Sequence, residues 1–482
     1  MKILLICPTW TEDLGRFSRL AKTRNSQPPL GILYLAAIAE KKGHSTRIID
    51  ADVEGFTVQN LVSQVINGTY DMVGITATSP IFHKAVLLAQ TIKAQDSRIP
   101  LLIGGEHLNI FGKEAFEDCF DFAFVGESDH SFAEFLDAFI GDEAYDEING
   151  LIFRDKSNVT VVNPPRARVQ NLDELDFPSM HLLKRGVYNM TFAMHREREY
   201  IPIMATRGCP FKCVFCSEPM TNPQVRYRSP KHIVDEMEKW SRELGITHFF
   251  FMDSNITLNR KQIEGVCDEI LSRRLKTTWE GWTRANLVDR DILELMQKAG
   301  MIRISYGIES GDPRVLRIIR KEVELEDMRK AFKMTEAVGI EPACSVMLGL
   351  PGDTRESVMR TIEFVRSIPE VRYSNFSIAN PYPGTEMYAW AKEGKHGLHL
   401  LINDFSEYKR YDDSPVSVND LSREDLIRLQ KIGLLKIHMT PRRIYAAIKM
   451  VGLRNLIPLF ISFVAALFTS AMPTEKTSDG YE

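Results

Sequence analysis

The sequence predicts an α/β protein with three parts: a doubly wound, Rossmann-like parallel sheet over residues 1–140, a partial (β/α)6 barrel over 196–400, and a helical region over 401–482. Three observations carry this. Short β-branched runs alternate with helical stretches in each of the first two parts, the runs of the first part read as parallel strands buried on both faces, and the alternation stops after about residue 400.

In the first part the strand-like runs are KILLICP, TRIIDAD, MVGITAT, PLLIGGE and FAFVGES, separated by helical segments such as LGILYLAAIAEKKG. Ligands of such sheets sit beyond the strand carboxyl ends, so the candidate loops follow Pro8, Thr78, Gly105 and Gly126. Residues 141–195 break the pattern with a small hairpin (LIFRD, VTVVNPP) and a proline-containing stretch, and read as a linker. From Tyr200 the runs YIPIMATRG, HFFFMDS, TTWEGWTRA, RISYGIES, EPACSVMLGL and YSNFSIANP alternate with helices over Ser229 to Leu244, from Arg260, from Asp289, near Met328 to Ala337 and from Thr354. Chemistry in such barrels sits at the strand carboxyl ends.

The chain of 482 residues is 44% apolar and 26% charged, ordinary values for a folded globular protein. With 60 Lys and Arg against 64 Asp and Glu, its net charge of -4 gives no field for gripping a phosphate backbone, so no nucleic acid partner is expected. Seven cysteines, three of them within eight residues, are unlike a secreted disulfide framework. A reducing, cytoplasmic compartment is the expectation. The apolar start Met1 to Cys7 is cut short by Pro8, Glu12 and Asp13 and reads as a buried strand, not a leader.

The segment TRGCPFKCVFCSEP places Cys209, Cys213 and Cys216 in C-x3-C-x2-C spacing directly after the first barrel strand. Three thiolates on one loop can hold three irons of a four-iron cube and leave the fourth iron open to a small molecule. A structural zinc site stays open on this evidence, although zinc usually closes with further ligands and His195, His232 and His248 show no ligand spacing.

With the aromatic Phe215 before the third cysteine, this spacing resembles the signature of radical S-adenosylmethionine (SAM) enzymes. FMDSNIT, WEGWTRAN, GIESGD, MLGLPGDT and PYPGTEMY then follow in the family's order, so the resemblance runs from Tyr200 to Tyr388. It implies a [4Fe-4S] cluster on the three cysteines and reductive cleavage of SAM to a 5'-deoxyadenosyl radical, with a low-potential flavodoxin- or ferredoxin-type electron donor. It also implies that Phe215 meets the adenine, Arg284 the cofactor carboxylate, and Glu309 and Ser310 the ribose or methionine part. The alternatives are core packing for Phe215, a helix cap for Glu309 and a pairing of Arg284 with Glu280. No residue is assigned to the step on the substrate itself.

The first part resembles the cobalamin-binding half of cobalamin-dependent radical enzymes through PPLGILYLAA, GITATS, GGEH and FVGESDHSF. The resemblance implies cobalamin contacts from Thr76, Thr78, Ser79, Gly104, Gly105, Gly126 and Glu127. No Asp-x-His-x-x-Gly is present, and His107 and His130 do not fit that spacing, so cobalt is expected to lack a protein histidine. Enzymes with this pairing include C-methyltransferases acting on hopanoids and natural products, and the anaerobic magnesium-protoporphyrin monomethyl ester cyclase. Carbon methylation is the leading expectation, with radical cyclisation or rearrangement as the alternative and a cobalamin or redox sensor as the non-enzymatic one.

Near the end, Arg442, Arg443, Lys449 and Arg454 surround or precede the uncharged run 455–474. That order suits a helix lying on a membrane surface at least as well as one spanning it. A helix buried on the barrel or against a second copy is the alternative. Peripheral contact with the inner face of the membrane and an apolar small-molecule substrate are the corresponding expectations.

Overall fold

A computed structural model describes residues 1–11, 27–188, 199–409, 411, 413–441 and 443–445. Its first sheet contains β1 (Lys2–Cys7), β2 (Ser45–Asp50), β3 (Met72–Thr76), β4 (Leu101–Gly104), β5 (Phe122–Phe124), β6 (Leu151–Arg154) and β7 (Thr160–Val162). The order is β2-β1-β3-β4-β5-β6-β7, with β1 to β5 parallel. Successive side chains of β1 feed opposite cores: Ile3 and Leu5 pack in one apolar cluster, Leu4 and Ile6 in another. The continuous apolar runs follow from this two-sided burial.

The hairpin read as part of a linker belongs to this sheet. β6 pairs antiparallel with β5 through Phe122↔Phe153, and β7 pairs with β6. An antiparallel edge on a parallel sheet needs no crossover helix, so the local pattern gives no sign of which sheet the hairpin joins.

The second sheet holds β8 (Ile201–Ile203), β11 (His248–Phe251), β12 (Thr278–Thr283), β13 (Met301–Glu309), β14 (Glu341–Leu348) and β15 (Tyr373–Ile378), all parallel and in spatial order. Between the first two lie the short β9 (Thr206–Arg207) and β10 (Arg226–Tyr227), which pair antiparallel with each other. Helices Pro230–Leu244, Arg260–Ser272, Arg290–Lys298, Leu325–Ala337 and Arg355–Ser367 connect the sheet strands. Four of them start where Ser229, Asn259, Asp289 and Thr354 accept a backbone N–H of the first turn. Beyond residue 396 the structure adds to the expected helix (Arg423–His438) an antiparallel hairpin of β16 (Leu398–Leu400) and β17 (Val416–Val418). The run 455–474 lies outside the described residues. Among the described residues no helix is long and apolar enough to cross a membrane.

The two faces of the second sheet differ. Outward side chains such as Ile304, Tyr306, Val346 and Phe376 are buried under the helices. The inner face carries a buried polar network at its amino-terminal end. His248 Nε2 lies 3.0 Å from Glu280 Oε1, Arg303 Nη1 lies 3.5 Å from Glu280 Oε2, and Arg303 Nη2 lies 3.4 Å from Glu341. Truncating one member of such a network strands the others without water or partner. Glu280→Ala should therefore cost about 3–5 kcal/mol, read as a lower urea midpoint at unchanged slope. Glu280→Gln, which keeps the shape and hydrogen-bonding capacity, should cost less.

Candidate active site at the facing strand ends

The cysteine loop leaves β9 and returns to β10, so the pairs Arg226↔Arg207 and Tyr227↔Thr206 close its base. Gly208 starts it at φ +97°, where a Cβ would stand 2.3 Å from Gln224 O, so only glycine fits. The loop is pinned to the barrel through Val214, whose N–H donates to Ile319 O (3.2 Å) and whose carbonyl accepts from Met387 N (2.9 Å).

Cys209 and Cys213 are buried and Cys216 is half-buried. Asn255 Nδ2 donates to Cys209 Sγ (3.5 Å), and Arg284 Nη1 to Cys213 Sγ (3.6 Å). Burial pushes the Cys209 thiol up and the Cys216 thiol up to about 12, the latter aided by its neighbouring thiols and Glu218. Such thiols hold their protons until a strong cation replaces them. Among the described residues no three His, Cys, Asp or Glu side chains converge as one metal ion requires. A tetrahedral zinc needs that convergence, whereas ligands to separate irons of a cube do not.

Arg284 is 3% exposed, with its guanidinium 3.7 Å above the Phe211 ring. Its Nε and Nη2 are buried with no hydrogen-bond partner among the described residues. Glu280, the alternative partner, is taken by His248 and Arg303. A buried guanidinium with two idle donors suits a carboxylate arriving from outside the chain. Directly after β11, Asp253 Oδ2 accepts Ala205 N (3.2 Å) while Oδ1 is buried without a partner among the described residues, and burial raises its carboxyl to about 6. Asp253, Asn255 and Phe211 were not singled out as single residues from the sequence. The acidic string FMDSNIT and the loop's own aromatic residue were the available signals.

Glu309 sits at φ +59° at the end of β13 and pairs with Lys321 Nζ at 2.9 Å. It does not cap the following helix, because Asp312 accepts Arg314 N (2.8 Å) and Val315 N (3.3 Å) there. Ser310 is buried, and its hydroxyl accepts Asp312 N (3.1 Å) and lies 3.2 Å from Thr361 Oγ1. Phe215 is half-buried with one part against the core.

At the first sheet, the order β2-β1-β3 places the topological switch point between β1 and β3, and Thr76 to Ser79 leave β3 there. Thr76 is half-buried, Thr78 is exposed, and Ser79 Oγ lies 3.0 Å from His107 Nδ1. Gly105, at φ +108°, would clash through a Cβ with Ala77 O at 2.6 Å, so the chain's own packing demands this glycine. Gly126 (φ +87°) has open space where its Cβ would be, and Gly104 meets only Phe124 at 3.9 Å. His107 is buried, with Phe82 at 4.0 Å and Phe111 at 4.6 Å, while His130 is exposed.

Glu127 anchors its loop across the domain boundary. Its carboxylate accepts Arg226 Nη1 at 2.8 Å and Val169 N at 3.0 Å, and lies 3.4 Å from Arg207 Nη1. Arg207 also pairs with Asp129 at 2.8 Å. The residues that close the cysteine loop are thus the ones that grip the first sheet.

Comparison with known proteins follows the same division. Residues 203–365 match the Radical SAM superfamily and residues 19–136 the B12 binding domain. An uncharacterized methyltransferase of Pyrococcus horikoshii is 28% identical, covering 92% of this chain and 93% of that protein. The anaerobic magnesium-protoporphyrin IX monomethyl ester cyclase of Rubrivivax gelatinosus is 26% identical, over 85% of this chain and 72% of that one. In fold, the chain is similar to the radical SAM methyltransferase TsrM of Kitasatospora setae, with a TM-score of 0.68 at 17% identity over 91% of this chain and 89% of that chain.

The enclosed His107 yields a pH test. Burial lowers its pKa to about 4 from an ordinary 6.5. Between those values the unfolded chain binds the proton and the folded chain does not, so this group's contribution to stability falls as pH drops from about 6.5 to 4. Asp50, raised to about 7 by burial and Asp52, acts in the opposite direction. The difference between parent and His107→Gln isolates the histidine: the variant's urea midpoint should fall less steeply over that window.

Proposed function

Because the chain belongs to the radical SAM superfamily and carries a B12 binding domain, we propose that it is a cobalamin-dependent enzyme that methylates carbon in a small molecule. The observation that carries the reading is the shared boundary: Arg207 and Arg226, at the base of the cysteine loop, bind Glu127 and Asp129 at the carboxyl end of the first sheet. The loop that carries the three cysteines is therefore docked against the carboxyl end of the first sheet. When bound, a [4Fe-4S] cluster supplies the electron that cleaves SAM to a carbon-centred radical, and cobalamin supplies a methyl carrier.

Cys209, Cys213 and Cys216 would hold the cluster, and Arg284 the SAM carboxylate through its idle donors. Glu309 borders the ribose side with Lys321 holding its carboxylate, Ser310 shapes the turn beneath, and Phe215 faces the adenine. Thr76, Thr78, Ser79, Gly104, Gly105 and Gly126 form the cradle for cobalamin, with Glu127 fixing the cradle's last loop. The enclosure of His107 between Phe82 and Phe111 supports the reading that a bound cobalt would take no histidine from that position.

Radical cyclisation is the second reading, favoured by the similarity to the cyclase over 85% of this chain. Products separate the two. A methyltransferase forms S-adenosylhomocysteine with a methylated product, while a cyclase forms 5'-deoxyadenosine without one. The reconstituted protein should release 5'-deoxyadenosine on reduction, and Cys213→Ala should lose both cluster absorbance and this product. Retention of both by the variant would remove the cluster assignment. Paramagnetic resonance of the Co(II) form should show no nitrogen splitting from a lower ligand.

A further inference from the structure

The inner face of the second sheet should be as closed as the outer one if the barrel were a packed core. It is not. Along β13 to β15, the inward Ser305, Ser345, Asn375 and Ser377 are each partly exposed, while the outward residues between them are buried. Register places these side chains side by side: Trp282↔Ser305 across β12 and β13, Gly307↔Ser345 across β13 and β14, and Ser345↔Asn375 across β14 and β15. The sheet thus encloses a lumen above the Glu280 network.

The apolar part of the wall is equally defined. Trp282 is 36% exposed, with its ring 4.6 Å from Phe250 and nearly perpendicular to it. Met204, Met252 and Met347 are partly exposed at inward positions of neighbouring strands. Thioether side chains adapt to irregular hydrocarbon shapes, and an indole offers a flat apolar face with one donor. Asn375 accepts the Tyr411 hydroxyl.

Among the described residues at inward positions of these strands, charge lies at the two ends. At the floor, Glu280 and Arg303 satisfy each other together with His248 and Glu341. At the mouth, Glu309 and Lys321 pair, and Arg284 is assigned to SAM. Between them the wall offers hydroxyls, one amide, thioethers and an indole. A charged group brought there would lose water and meet no counter-ion among these described wall residues, a cost of several kcal/mol.

We propose that this lumen selects an uncharged, mainly hydrocarbon substrate bearing one or two hydroxyl or carbonyl oxygens, with Trp282 and Ser345 as specificity-determining residues. The proposal rests on the reading of the chain as a radical enzyme for the identity of the bound molecule as substrate.

The test uses cluster- and cobalamin-loaded protein with SAM bound and no reductant, so that the mouth is occupied. Equilibrium dialysis compares farnesol with farnesyl diphosphate, which share one hydrocarbon and differ in charge. Farnesol should bind at least about tenfold more tightly. Ser345→Asp should weaken farnesol by about tenfold or more, and Trp282→Ala should weaken it too, with Trp282→Phe restoring most of the affinity. Iron and corrinoid content certify that each variant is loaded. Equal or tighter binding of the diphosphate, or farnesol affinity indifferent to both Ser345→Asp and Trp282→Ala, overturns the proposal. Failure of the radical reading is seen separately, as absence of 5'-deoxyadenosine once reductant is added to the parent.

Discussion

The ion-pair cluster of Glu127, Asp129, Arg207 and Arg226 is the constraint on which the rest of the site depends. Arg226 is 4% exposed, and its partner Glu127 sits under two arginines. Such pairs add little net stability over an apolar contact of the same shape, because desolvation offsets the attraction. Their value is geometric. A misplaced interface leaves a buried charge unpaired, so only one docking of the first sheet against the cysteine loop is tolerated. The two-residue pairing of β9 with β10 carries that restraint into the loop, whose Gly208 N–H and Cys209 N–H are bound by Glu218 and Asn222 within the same segment.

The second sheet divides its faces between stability and chemistry. Tyr306, Val346, Phe376 and their neighbours build an apolar layer with the outer helices, which is where the burial energy resides. The inner face is then free to be polar, and the Glu280 network closes its floor. Position along one strand decides the role of each residue. Glu280 serves the floor, Trp282 the wall and Arg284 the mouth, at successive inward positions of β12 and the residue after it.

This spacing explains what could be read from the sequence and what could not. All five parallel strands of the first sheet were legible as unbroken apolar runs, because they are buried on both faces, and all six of the second through their regular alternation with helices. The cysteine triad was legible because its ligands are local. The partners of Arg284 were not. Glu280 lies on the same face four residues earlier, but register puts it against Arg303, a neighbour fixed only by the pairing of β12 with β13. Glu127 and Arg226 are 99 residues apart in the chain, so nothing local links them. The hairpin of β6 and β7 was recognised as a hairpin and read as part of a linker, because its pairing with β5 is not visible in the local pattern. Gly105, expected as a cobalamin contact, is also required by the chain's own packing, because its Cβ would strike Ala77.

The same physics bears on how the site behaves before its ligands arrive. Arg284 is desolvated without a carboxylate, and its contact with Phe211 returns only part of the lost hydration. Its remaining bond goes to Cys213, a weak acceptor while protonated. Asp253 has one oxygen in the same condition. A cationic metal centre that takes the thiol protons would turn Cys213 into a full negative partner for Arg284. A ligand carrying a carboxylate would then satisfy the two idle donors of Arg284. Each step removes a buried unpaired charge that the chain alone cannot remove, so metal loading and ligand binding both favour the folded loop and, through it, each other.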